Sequence, residues 1–240
     1  MTPAPVHVAG ERLLLDPEGA LFWPRERVLA LADLSFGRGS GPAGGETIRR
    51  LAGLLRRWRP RHVLVLETVP GTVPTWPGEL PAGLPPGLSS RLAAMAASNS
   101  FVWIRDRADN APSFEGDGGR TAEFWHSPPL VFRPRPAERA QGEVAGHLRP
   151  IAVPVDVSVG VSVGVVAGAP ATARPCFVAD GMRVLLPAFG PATSGTDVRQ
   201  PPIQALFPYG ARVFLTGAER LSSFPILGKP IIGRRARRQE

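Results

Sequence analysis

The chain has 240 residues, 43% of them hydrophobic, which is enough for one sizeable domain with a full core. It contains no run of eighteen uncharged apolar residues, and its start, MTPAPVHVAGERLL, lacks the basic and apolar regions of a secretory signal, so we expect a cytoplasmic protein without a membrane span. Its single cysteine, Cys176, excludes an intramolecular disulfide and a cysteine-based zinc site.

Half of the net charge of +8 lies in the last twelve residues. Five basic residues against Glu240 give +4 there, and these five are Lys229, Arg234, Arg235, Arg237 and Arg238. We therefore predict one domain over residues 1–226 and a basic C-terminal tail over residues 227–240. Such a tail can add contacts to phosphate groups.

Short apolar segments separated by turn residues open the chain. RLLLD, from Arg12, and ALFWP, from Ala20, predict a β-hairpin around Pro17-Glu18-Gly19. The next apolar run, RVLALAD, ends at Asp33 and predicts a buried strand that delivers a carboxylate to the loop after it. This part of the chain therefore predicts the beginning of a mixed sheet.

An amphipathic helix is predicted at residues 46–58, where apolar residues recur at helical spacing with arginines opposite them. The apolar run HVLVLETV at residues 62–69 then predicts a second strand. Strand, helix and strand form the βαβ unit of an α/β fold with parallel neighbours. Ligand sites in such folds lie at the carboxyl ends of strands, which places Asp33 near Glu67 and Thr68.

The remainder of the chain predicts a helix at residues 88–97 and several more strands. The predicted strand segments are FVWIRD, LVF, GEVAGH, a hairpin in CFVADGMRVLLPAFG that turns at Asp180-Gly181, and ARVFLTG as the last strand. The valine- and glycine-rich composition of residues 153–173 does not decide between a strand and an irregular segment.

Polar loops follow the predicted strands in a distinctive order: ADLSFG at 32–37, ETVP at 67–70, RDRAD at 105–109 and GHLRP at 146–150. In order and spacing they resemble the signature of calcineurin-like metallophosphoesterases, which runs D-x-H, GD, GNHD, H and GHxH. LALADLSFGR, RPRHVLVL, GEVAGHLRP and RPCFVADGMRVLLPAFG look most like the bacterial ligase-associated DNA damage response endonucleases of that superfamily. The resemblance covers about residues 6–225, and it implies an α/β fold, a four-layer sandwich of two mixed β-sheets flanked by helices.

The family chemistry implied by this resemblance uses two divalent metal ions about 4 Å apart, which clamp a phosphodiester and activate water. Asp33 and His147 match family metal ligands, but Ser35 stands where the family has a histidine and Thr68 stands where it has the bridging aspartate. The other matched positions also differ from the signature: they are Arg107, Ala108, Pro134 and Arg149. Neither metal therefore keeps more than one of its usual protein ligands.

This ligand count predicts a degenerate site that lacks two-metal catalysis, and we expect no cofactor. A cluster of carboxylates without its cations would hold unpaired buried charge, which is costly. The replacement of a carboxylate by Thr68 and the presence of two arginines, Arg107 and Arg149, would repair that imbalance. We expect an ion pair between Arg149 and Asp33, with Arg107 near His147.

Three alternatives stay open at this point. Relocated ligands would keep a Mn²⁺-dependent phosphoesterase or endonuclease active, with Glu67 as the bridge, Asp106 or Asp109 as a ligand, and His126 replacing the lost histidine. Arg107 and Arg149, with Ser35, would alternatively hold a phosphate directly, because guanidinium is a bidentate donor. A chain without selected activity is the third alternative.

The partners implied by the resemblance are those of DNA repair. Family members are encoded beside a DNA ligase, a helicase and a nuclease-like protein, so we expect DNA and those proteins as partners. We expect no membrane partner.

Overall fold

The structure is a computed structural model, which describes residues 1–35, 42–66, 86–106, 115–116, 119–153, 172–190 and 195–228. Several predicted site residues lie outside these ranges: they are Glu67, Thr68, Arg107, Asp109 and the tail residues Arg234, Arg235, Arg237 and Arg238. Within the described residues no helix combines the length and the apolar character that a membrane span requires.

The first sheet has eight strands. They are β1 Ala4–Val8, β2 Glu11–Leu15, β3 Leu21–Trp23, β4 Val28–Ala32, β5 His62–Leu66, β6 Ser100–Ile104, β7 Glu115–Gly116 and β8 Gly119–Ala122. Their order across the sheet is β1-β2-β3-β4-β5-β6-β8-β7. The predicted hairpin is confirmed by the antiparallel pairing of β2 with β3, and the predicted parallel pair is confirmed in β4 and β5.

The second sheet has nine strands. They are β9 Trp125–Ser127, β10 Leu130–Arg133, β11 Glu143–Ala145, β12 Pro150–Ala152, β13 Arg174–Ala179, β14 Arg183–Leu185, β15 Thr196–Asp197, β16 Gly210–Leu215 and β17 Ser222–Leu227. β10, β11 and β14 run parallel, whereas β13 pairs antiparallel with β14 and β16. The prediction that ARVFLTG forms the last strand is wrong, because β17 follows it and pairs with β16.

The helices are α1 Pro42–Trp58, α2 Pro86–Ser98 and α3 Pro201–Gln204, so α1 begins four residues before the predicted start at residue 46. One apolar cluster, which includes Trp23, Leu66 and Phe132, fills the space between the sheets. A second packs α1 and α2 on the outer face of the first sheet, and a third joins Ile203 and Phe207, in and just after α3, to the second sheet. The predicted four-layer sandwich of two mixed sheets is therefore confirmed.

Backbone hydrogen bonds join the two sheets beside the carboxyl end of β4. The Phe189 N–H donates to Ala32 O at 2.7 Å, and the Ser35 N–H donates to Phe189 O at 3.3 Å. Gly190 follows with φ of +152°, and a Cβ there would stand 2.4 Å from Ser35 O. A glycine is required at this position because the loop after β4 lies directly against it.

We predict that Gly190→Ala lowers the free energy of unfolding by about 2 kcal/mol or more, since the new methyl group must displace the backbone of Ser35. Gly53→Ala is the matched control: a Cβ at this position inside α1 meets nothing within 4 Å. The control should raise the free energy of unfolding by about 0.5–1 kcal/mol through helix propensity. Urea unfolding measures both, and equal stability of wild type and Gly190→Ala would contradict the close packing.

Candidate functional site

The candidate site lies where strands of both sheets reach their carboxyl ends. Asp33 directly follows β4, and Asp106 lies two residues after β6, in the first sheet. His147 and Arg149 follow β11, and Arg135 follows β10, in the second sheet. Because parallel strands end at a common edge, residues far apart in sequence meet here.

The central contact is an ion pair between the two sheets. Nη2 of Arg149 lies 3.2 Å from Oδ1 of Asp33. The Asp33 side chain is 3% exposed and that of Arg149 is 26% exposed. The ion pair expected from the sequence is therefore present, and it supplies a counter-charge to a carboxylate that is almost completely removed from water.

The backbone of this site has an unusual conformation. Asp33, His147 and Arg149 have positive φ values of 48°, 76° and 46°. The Leu148 N–H donates to Gly146 O at 3.1 Å, so a three-residue turn closes around His147. Residues other than glycine seldom adopt positive φ, and such residues cluster at functional sites. Among the described residues, three of the six non-glycine residues with positive φ therefore lie at the ion pair, and the other three are Ala9, Arg27 and Arg59.

His147 lies among four charged groups. Burial is the main cause that lowers the pKa of His147, and the positive charges of Arg135 and Arg149 lower it further, while Asp33 and Asp106 oppose the shift. The imidazole is consequently neutral at pH 7. A neutral imidazole provides one N–H donor and one ring nitrogen as acceptor.

A second ion pair lies beside the first. Nε of Arg135 is 2.6 Å from Oδ2 of Asp106, and Arg135 is half exposed. Both residues line a cleft of about 580 Å³, whose other lining residues are Arg105, Glu123, Phe124, His126, Val131, Arg133 and Pro134. No motif in the sequence identifies Arg135 or Phe124 as a site residue. The available signal is alternation, because Phe124 lies one residue before β9 and Arg135 two residues after β10, in step with His126 and Arg133.

The other site residues predicted from the sequence do not all lie at the ion pair. Ser35 is held through its backbone: its N–H donates to Phe189 O, and its carbonyl accepts a 3.1 Å hydrogen bond from Oγ1 of Thr47. His126, the proposed replacement for the lost histidine, lines the cleft together with Asp106. The positions of Glu67, Thr68, Arg107 and Asp109 lie outside the described residues.

The described side chains do not fit a pair of divalent metal ions. Within the described ranges no group of three or more His, Cys, Asp or Glu residues converges. Asp33 directs Oδ1 at a guanidinium, and the positive charges of Arg135 and Arg149 act on His147. Hard divalent cations require several oxygen or nitrogen ligands and are repelled by neighbouring positive charge.

We predict that Arg149→Gln lowers the free energy of unfolding by about 2 kcal/mol, because it leaves the buried Asp33 carboxylate without this guanidinium. Asp33→Asn in the same chain should recover part of that loss, with a coupling of about 1 kcal/mol or more in a double-mutant cycle. The control pair is Arg199→Gln with Asp197→Asn at an exposed ion pair, where the coupling should stay below about 1 kcal/mol. Additive effects at Asp33 and Arg149 would contradict a stabilising pair.

We also predict that the pKa of His147 lies below the ordinary 6.5, and that Arg135→Gln raises it by removing a positive charge. A lowered folded-state pKa means that this histidine supports stability above pH 6.5, and that the support is lost as pH falls through the folded pKa. Arg135→Gln should reduce that acid-side loss. NMR titration of the four histidines, with His147→Asn for assignment, measures the pKa, and an unshifted His147 would contradict the electrostatic assignment.

Comparison with known proteins places the chain beside a solved structure of the same fold. No protein-family model matches the chain, and no curated protein matches it. Among solved structures, the chain is similar to nuclease MPE from Pseudomonas putida, with a TM-score of 0.66 and 24% sequence identity over 93% of this chain and 100% of that chain. At this level of identity the similarity establishes a shared fold: the chain has the two-sheet sandwich of that nuclease.

Proposed function

We propose that the chain is a degenerate metallophosphoesterase-like protein that binds the phosphate backbone of DNA, alone or with repair partners, and lacks two-metal catalysis. The observation that carries this proposal is the ion pair between Asp33 and Arg149. The guanidinium of Arg149 pairs with the carboxylate of Asp33, at the position where metallophosphoesterases hold a metal ion. This pairing replaces cation binding with a fixed positive group at the same edge of the sandwich.

The remaining charges at the site support an anionic ligand. Arg105, Arg133 and Arg135 line the neighbouring cleft, and guanidinium groups bind phosphate oxygens bidentately without a metal ion. The net charge of +8 favours association with a polyanion. The structural relative is a nuclease, which supports nucleic acid as the ligand class.

Partner binding within a repair complex belongs to the same proposal. Its support is the sequence resemblance to endonucleases encoded beside a DNA ligase, a helicase and a nuclease-like protein. A protein that does not itself hydrolyse DNA contributes to such a complex by binding DNA or by binding another protein of the complex.

Two measurements on one preparation test the proposal. Chelator-stripped protein is titrated with Mn²⁺ by calorimetry and assayed for hydrolysis of bis-p-nitrophenyl phosphate. In parallel, a fluorescent DNA duplex is titrated at several salt concentrations. We expect neither tight Mn²⁺ binding nor turnover, and we expect DNA affinity that falls steeply with salt because phosphate contacts release counterions.

The matched variants keep the net charge constant. Asp33→Asn with Arg149→Gln removes one acidic and one basic group, so a loss of DNA affinity of about threefold or more would assign a phosphate contact to Arg149 rather than to overall charge. Asp197→Asn with Arg199→Gln removes an exposed pair elsewhere and should leave DNA affinity unchanged. Tight binding of two Mn²⁺ ions with turnover would overturn the proposal and favour relocated ligands at Glu67, Asp106, Asp109 and His126.

A further inference from the structure

The cleft beside the ion pair has a wall built from alternate residues of β9 and β10. Val131 pairs with His126, and Phe132 pairs with Trp125, so the next position outward places Phe124 opposite Arg133. Trp125 and Phe132 belong to the apolar cluster between the sheets. The alternation of a strand therefore turns Phe124, His126, Val131 and Arg133 toward the cleft, which all four line.

Phe124 is 57% exposed, and among the described residues it is the one phenylalanine with an exposed side chain. The other large hydrophobic residues that are exposed in the described ranges, Met1, Met182 and Tyr209, do not line the cleft. An aromatic ring exposed inside a concave, charged site offers a flat surface for stacking another ring. The position of Phe124 therefore favours a ligand with a planar aromatic part.

Two guanidinium groups stand beside that ring with a common orientation. Nε of Arg133 lies 3.4 Å from Oε1 of Glu143, and Nε of Arg135 lies 2.6 Å from Oδ2 of Asp106. In each arginine the nitrogen recorded closest to the carboxylate is Nε, and both side chains line the cleft. Guanidinium N–H donors have the geometry that phosphate oxygens accept.

The charge around Glu143 also favours an anion. Glu143 is completely buried, and it has a second arginine partner, since Nη1 of Arg183 lies 3.4 Å from its Oε2. One carboxylate thus faces two guanidinium groups, Arg133 and Arg183. The cleft itself is lined by Arg105, Arg133 and Arg135 against Asp106 and Glu123. A bound phosphate would accept hydrogen bonds from the guanidinium groups of this lining.

We propose that this cleft binds a nucleoside monophosphate with an unpaired base. The phosphate lies on the Nη donors of Arg133 and Arg135, and the base stacks on Phe124. A volume of about 580 Å³ is within the range of small-ligand sites. The same chemistry is presented by a free nucleotide and by the phosphorylated end of a single strand. The site shares Arg133 and Arg135 with the arginines that support the proposed function, but it does not use the pair of Asp33 and Arg149.

Calorimetric titration of the full chain with AMP, ribose 5-phosphate and adenosine tests the assignment. We expect AMP to bind about tenfold more tightly than ribose 5-phosphate, because the latter has no base to stack. Phe124→Ala should weaken AMP binding by about tenfold and leave ribose 5-phosphate binding unchanged. Arg133→Gln and Arg135→Gln should each weaken both phosphorylated ligands by about tenfold.

The controls separate stacking from folding and from general surface effects. Phe124→Leu retains an apolar side chain without a ring and should lose AMP affinity almost as Phe124→Ala does. Tyr209→Ala removes an aromatic residue that is 84% exposed and lies outside the cleft, and it should leave AMP binding unchanged. Circular dichroism and urea unfolding establish that each variant is folded.

Each result decides the proposal. Equal affinity for AMP and ribose 5-phosphate, no effect of Phe124→Ala, or no binding of AMP at millimolar concentration would overturn it. A 5′-phosphorylated trinucleotide that binds more tightly than AMP would assign the site to strand ends, whereas equal affinities would assign it to free nucleotides. Failure of AMP to bind while duplex DNA still binds would leave the proposed function intact.

Discussion

The ion pair between Asp33 and Arg149 decides what this edge of the molecule can do. Asp33 is fixed at the end of a fully buried strand, where an isolated carboxylate would be costly. Its partner comes from the opposite sheet, so the contact also helps to join the two halves of the sandwich. The guanidinium of Arg149 neutralises this carboxylate from within the protein itself. The proposed function depends on that pairing.

The same electrostatic pattern recurs around the site. Asp106 is paired with Arg135, and Glu143 lies between Arg133 and Arg183. Asp33, Asp106 and Glu143 therefore each have a guanidinium within ion-pair distance. Because a guanidinium offers five N–H donors in one plane, an arginine that satisfies a carboxylate keeps donors for a second acceptor. Charge neutralisation and ligand binding are compatible in one side chain.

The sequence was sufficient for the features that rest on local periodicity. The buried runs of β4 and β5, the helix between them and the hairpin of β2 and β3 all follow from apolar spacing and turn residues. The pairing of Arg149 with Asp33 was also predictable, because both positions follow strands and an unpaired buried charge requires a partner. The loops at the strand ends resemble the metallophosphoesterase signature, and this resemblance correctly predicted a sandwich of two sheets.

Other features depend on contacts that no local pattern encodes. β7, β12 and β15 have only two or three residues, too few for a period to be recognised, and β17 is not predicted from the sequence. The pairing of Arg135 with Asp106 depends on how a loop of one sheet meets a loop of the other. Phe124 was not recognisable as an exposed residue, because aromatic residues beside a strand are usually buried.

The positive φ values at Asp33 and His147 restrict which side chains these two positions accept. Aspartate, asparagine and histidine adopt this left-handed conformation more readily than most residues with a Cβ. The backbone at these two turns therefore favours an acidic or imidazole side chain even when no ligand contributes to the preference. A metal ion is one reason for an aspartate and a histidine at this edge, and the shape of the main chain is another that acts on its own.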